Sequence, residues 1–163
     1  MDRLLDDWRR ERPDLDLSPL AVMSRLTRVA RRLDLERRGV FEAFGLESWS
    51  FDVLAALRRT GPPYELPPRI LLRQTLVSSG AMTNRIDRLE EAGLVGRLPD
   101  PGDRRGVLVR LSPAGRERVD ACLAALAATE QALLAPLDEA GRGALAGLLR
   151  RLLASLAPPS AEA

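Results

Sequence analysis

Thr83, Asn84 and Arg88 share the outward face of one short helical stretch, and all three are residue types that hydrogen-bond base edges or phosphate oxygens. The opposite face defines them. Met82, Ile86 and Leu89 recur at helical spacing as an inner apolar stripe, which turns Thr83, Asn84, Asp87, Arg88 and Glu91 outward. Ser78 and Ser79 precede this helix, where free N–H groups and the positive dipole end favour phosphate. Arg104 and Arg105 follow at the tip of a polar turn, and an arginine on a protruding ribbon suits a narrow minor groove, where the potential is most negative. Each residue taken singly has an ordinary alternative: a solvated helix face, or a soluble charged turn. Glu90 and Glu91 crowd the far end of the helix, so its N-terminal end is the one suited to a polyanion.

Other chemistry is largely excluded by composition. All 25 basic residues are arginine, so no lysine exists for a Schiff base or a P-loop. Histidine is absent, which removes the commonest general base, the commonest metal ligand and every Ser/His triad. The single cysteine, Cys122, allows no intrachain disulfide and no thiolate zinc cage. Carboxylate pairs remain, yet an enzyme is disfavoured, and no cofactor or metal is expected. The net charge is only +2, so a nucleic-acid role would rest on local placement and not on bulk charge. The chain of 163 residues is the size of one ordinary domain. No apolar run approaches the roughly 18 residues of a membrane span, and the N-terminus lacks a signal-peptide pattern, so a cytoplasmic protein is expected.

The elements that must position these residues can be read in order. An amphipathic stretch over 2–12 ends at Pro13. Ser18-Pro19 reads as a cap and first turn of a helix running toward Phe44, with Gly45 closing it. A third helix spans 48–59, and Pro67-Pro68 open a short one over 67–75. The stretch 80–92 is the helix described above, ended by Gly93 with Leu94 stapling it. The period then changes to two: residues 95–98 and 107–111 flank the turn 99–103, a β-hairpin with a long polar tip. Ser112-Pro113 starts a long helix to about residue 135, Pro136 breaks it, and Asp138 caps a last helix to about residue 156. A helix pair followed directly by a basic hairpin is the winged helix-turn-helix arrangement. The fold class expected is therefore mainly α, with that lobe over 45–111, N-terminal helices over 1–44 and C-terminal helices over 112–163.

The run from Asn84-Arg85-Ile86-Asp87-Arg88-Leu89-Glu90-Glu91 to Ala92-Gly93-Leu94-Val95, then Asp103-Arg104-Arg105, then Arg110-Leu111-Ser112-Pro113-Ala114-Gly115, strongly resembles the MarR family of transcriptional regulators. The resemblance covers nearly the whole chain. It implies a winged-helix lobe that binds double-stranded DNA at a pseudo-palindromic operator, and a homodimer built from the N- and C-terminal helices. Trp8, in an extra first helix, together with Asp52, Arg85 and Arg97, is similar to the ligand positions of the urate-responsive and PecS-like branch. That likeness implies a small anionic or aromatic effector that releases DNA.

Arg85 also has a reading of its own. It lies roughly 65° from the centre of the Met82/Ile86/Leu89 stripe. A cation at the core edge is costly unless an anion partners it, and Asp52 is a candidate. The pair is either a structural tie between helices or a switch in which an anion binds Arg85 and Arg97, with Trp8 as a flat wall. Trp8 alone also reads as a packing anchor, and Cys122 among Val119, Leu123 and Leu126 as a buried, inert thiol. The expected function is thus a ligand-responsive repressor. A regulator answering to a phenolic or an oxidant, and a helical interaction module without DNA binding, remain the alternatives.

Overall fold

Caps, glycines and prolines mark the element boundaries in the computed structural model, which describes residues 2–75 and 79–156, except for the side chains of residues 2, 79, 104 and 105. The order is α1 (Asp2–Glu11), α2 (Ser18–Ala43), α3 (Ser48–Arg59), β1 (Glu65–Leu66), α4 (Pro68–Thr75), α5 (Ser79–Glu91), β2 (Val95–Asp100), β3 (Asp103–Leu111), α6 (Pro113–Leu133) and α7 (Glu139–Leu156). The chain is mainly helical with a small antiparallel sheet in the order β1-β3-β2, as expected for a winged helix.

Three details depart from the expectation. Ser18 is already helical; Leu17 takes the cap position, and Asp16 accepts from both the Ser18 N–H and its hydroxyl at 2.9 Å. The hairpin tip is short, because β2 runs to Asp100 and β3 starts at Asp103, with the Asp100 carboxylate accepting the Gly102 N–H at 2.8 Å. Strand β1 was not expected, since two residues between prolines give no periodic signal; Glu65 and Leu66 pair with Arg110 and Val109 on the free edge of β3.

The core of the lobe is built on α3, whose Val53, Leu54, Ala56 and Leu57 are sealed from solvent. Against it pack Leu71 of α4, Met82, Ile86 and Leu89 of α5, Val109 and Leu111 of β3, and Val119 and Cys122 of α6. The apolar stripe read for α5 is therefore its buried face. Gly93 has φ +70°, and the Leu94 N–H reaches back to the Leu89 carbonyl at 2.9 Å, which ends α5 and aims the chain into β2.

Ser112 joins the hairpin to α6. Its hydroxyl accepts the Gly115 N–H at 2.9 Å, as a helix cap should, and donates to the Gly93 carbonyl at 2.7 Å. Its own N–H donates to the Leu94 carbonyl at 3.0 Å. Asp138 caps α7 in the same manner, accepting the Gly141 N–H at 2.8 Å. By packing, the chain groups into two units, Met1–Leu126 and Ala127–Ala163, a division that falls within α6 and not at its start.

Two glycine substitutions test this arrangement. A Cβ on Gly115 would lie 2.1 Å from the Leu94 carbonyl oxygen, so the first turn of α6 must part from the end of α5. Gly115→Ala is expected to destabilise by about 1–3 kcal/mol despite the better helix propensity of alanine. Gly39, in α2, has nothing within 4 Å of the added atom, and Gly39→Ala is expected to stabilise by about 0.5–1 kcal/mol. Urea denaturation of both variants reads the difference in sign.

Candidate nucleic-acid interface and effector cleft

With Met82, Ile86 and Leu89 buried, helical geometry leaves Thr83 and Asn84 exposed on the outer face of α5. Arg88 is also exposed, and it is held: its Nη2 donates to the Glu47 carboxylate, and its guanidinium lies 4.7 Å from the centroid of the Trp49 ring. Ser78 lies outside the described residues, as do the side chains of Ser79, Arg104 and Arg105.

The two flanks of α5 carry opposite charge. On one flank Asp87 and Glu90 face β2, and Arg97 joins them. Its guanidinium donates to both carboxylates, and its backbone N–H donates to Glu90 Oε1 at 3.0 Å. Arg97, expected to share one crevice with Arg85, is bonded here to the acids of α5. On the helical wheel Arg85 lies on the other flank, where its guanidinium stands 5.5 Å from the Trp49 ring. Spacing along the sequence gave no sign of the Arg97 ties, because they cross from a strand to a helix.

Asp52 lines a cleft of about 400 Å³ together with Asp34, Arg37, Arg38, Phe41, Ser48, Phe51 and Leu126. Burial pushes its carboxyl above the ordinary range, and the positive charges of Arg85, Arg37 and Arg59 oppose that rise. Arg85 is thus one of three arginines whose charge acts on Asp52. Of the four expected ligand residues, Asp52 alone is in the cleft wall. Trp8, on α1, is 49% exposed and does not line this cleft, and the buried residue of that helix is Leu5. Arg37 and Arg38, which sequence reasoning missed, supply the cleft's cations; on a long helix rich in arginine nothing distinguished them. Cys122 is fully buried and desolvation pushes its thiol up, which withholds the reactive thiolate.

Among the described residues no cluster of three or more acidic or cysteine side chains is placed to hold a metal, and no helix is long and apolar enough to cross a membrane.

The flank carrying Arg97 yields a direct test. Arg97→Ala removes the cation that neutralises Asp87 and Glu90, and it unties β2 from α5. Operator affinity without effector is expected to fall about three- to tenfold, the scale of one or two exposed ion pairs, in a gel shift at fixed salt.

The comparisons with known proteins agree with this geometry. Residues 44–106, from the end of α2 into the hairpin, match the MarR family. The chain is 36% identical over 149 residues to the HTH-type transcriptional regulator PecS of Dickeya dadantii, covering 91% of this chain and 90% of PecS. Its fold is similar to a mutant of Escherichia coli MarR solved in complex with operator DNA, with a TM-score of 0.70 and 28% identity over 84% of this chain and 97% of that one. It is also similar to Bordetella bronchiseptica BpsR, whose DNA binding is regulated by 6-hydroxynicotinic acid, with a TM-score of 0.60 and 28% identity over 78% and 98% of the two chains. Sequence and fold together make this chain a member of the MarR family of winged-helix, DNA-binding transcriptional regulators.

Proposed function

We propose that the protein is a homodimeric repressor that places two copies of α5 on a pseudo-palindromic operator and leaves it when a small flat anion enters the cleft beside Asp52. Thr83, Asn84 and Arg88 meet DNA along α5, with Ser78 and Ser79 at its start and Arg104 and Arg105 from the hairpin. Two-fold symmetry sets the half-site centres about 10 base pairs apart.

The observation that carries the effector reading is the cleft itself: Asp52 and the cations Arg37 and Arg38 line it, and the charge of Arg85, on α5, also acts on Asp52. An anion held by Arg37 and Arg38 repels the Asp52 carboxylate and competes for its cations. Arg85 then loses part of its partner, and α5 must settle elsewhere. Whatever the effector does to DNA affinity, DNA does in reverse to effector affinity. Urate fits such a site because it is flat, anionic and able to accept paired hydrogen bonds from guanidinium. The regulation of BpsR by 6-hydroxynicotinic acid, another flat ring bearing an acid, supports the same class of effector.

The dimer reading rests on exposed apolar side chains. In α2, Leu20, Val22, Met23, Val29 and Leu35 face solvent. Among the described residues of α7 none is buried, although the helix carries Leu145, Leu148, Leu153 and Leu156. Faces of this kind call for a partner surface, and a second copy supplies one.

Three measurements follow. Rising urate in a gel shift is expected to release operator from the wild type; no release would reject urate while leaving the DNA reading in place. Anion binding next to a carboxylate favours its protonated form, and Asp52 already binds its proton more tightly than a free aspartate. Effector affinity is therefore expected to strengthen as pH falls from neutral toward the raised range of the Asp52 carboxyl, and Asp52→Asn should flatten that dependence, as read by equilibrium dialysis. Replacing Leu148 and Leu153 together by Glu is expected to convert the dimer to monomer in sedimentation velocity and to weaken operator binding at least about tenfold.

A further inference from the structure

Glu47 stands just before α3 and makes three contacts at once. Its backbone N–H donates to Ser50 Oγ at 2.8 Å, which organises the first turn of the helix. Its Oε2 accepts the Trp49 indole N–H at 2.6 Å. Its Oε1 accepts from Arg88 Nη2. The Arg88 guanidinium also lies 4.7 Å from the centroid of that same indole ring. A carboxylate and an aromatic ring, locked to each other by the indole hydrogen bond, thus hold one guanidinium between them. The Glu47 carboxyl is lowered from its ordinary range, first by the Trp49 hydrogen bond and then by Arg88, so it is ionised whenever the protein is at work.

Stability does not account for this cluster. The Arg88 and Glu47 side chains are 52% and 56% exposed, and ion pairs in water at that exposure add little. Orientation is what the cluster supplies. A solvated arginine has many rotamers to give up on binding, whereas a guanidinium already fixed in its plane gives up few. Glu47 occupies one nitrogen of a group that has five N–H donors in a rigid fork, so Arg88 can meet DNA while still held.

We propose that Glu47 and Trp49 are positioning residues for DNA recognition, holding the Arg88 guanidinium in the orientation in which it meets the operator. The proposal rests on Arg88 being a DNA contact. It predicts the opposite of general electrostatics, under which removal of an acid beside DNA tightens binding.

The test is operator affinity by fluorescence anisotropy at fixed salt, using the full chain with its urea midpoint measured for each variant. Arg88→Ala is expected to weaken binding about tenfold. Glu47→Gln is expected to weaken it about fivefold, and Trp49→Phe, which keeps a ring but loses the indole donor, about two- to threefold. In the Arg88→Ala background, Glu47→Gln is expected to cost nothing further. Tighter or unchanged binding by Glu47→Gln overturns the proposal, because the carboxylate then competes with DNA or ignores it. The same loss persisting without Arg88 also overturns it, since Glu47 would be acting only through the start of α3. If Arg88→Ala binds as the wild type does, the DNA-surface reading falls together with the proposal. If Arg88→Ala weakens binding and Glu47→Gln does not, the positioning role alone is lost.

Discussion

Burial of Met82, Ile86 and Leu89 against α3 sets the roll of α5 about its own axis, and every polar contact of the working surface inherits that roll. Sealing each side chain from water is worth about 2 kcal/mol, so the three together supply roughly 6 kcal/mol. The exposed ion pairs along the same helix supply between about 0 and 1 kcal/mol each. The apolar stripe therefore decides where the helix lies. The charged flanks decide only how the residues at its edges are presented.

Those flanks are arranged with opposite polarity. Toward the sheet, α5 contributes the acids Asp87 and Glu90 and receives the cation Arg97. Toward α3, it contributes the cations Arg85 and Arg88 and receives the Trp49 ring and the Glu47 carboxylate. On the helical wheel Asn84 lies between the two sets of charges, and Thr83 lies beside the acids. A chain with a net charge of only +2 cannot rely on bulk attraction to a polyanion. Neutralising the two helix acids with a neighbouring arginine keeps the outer face of α5 from repelling phosphate.

Much of this was legible in the sequence, and the residues explain why. Periodicity marked the stripe of α5 and the alternation of β3; cap chemistry marked Ser112 and Asp138; Gly93 marked the end of α5. These are local signals, carried by residues within one turn or one strand of each other. Contacts between elements were harder. That the charge of Arg85 acts on Asp52 could be anticipated because a cation at a core edge demands an anion nearby. The ties of Arg97 to Asp87 and Glu90 could not, because an arginine in a strand gives no sign of which helix it will face. Trp49 was missed for a related reason: two residues from Glu47 and far in sequence from Arg88, it gains meaning only when α3 and α5 are packed. On α1 the packing anchor is Leu5, while Trp8 stays half exposed.

The balance of magnitudes also bears on how a regulator of this kind can switch without unfolding. Allosteric coupling between two ligands is typically worth about 1–3 kcal/mol. That matches the few exposed ties on the flanks of α5, and it falls well short of the roughly 6 kcal/mol held in its apolar stripe. In the switch proposed above, re-partnering Arg85 shifts the helix on its bed while the bed itself stays intact. The Arg97 tie extends the consequence, because it bonds β2 to the same helix at two carboxylates and one backbone N–H. A displacement of α5 carries the base of the hairpin with it. Helix and hairpin are thereby joined as one body, so a disturbance on the α3 side of α5 reaches the hairpin as well.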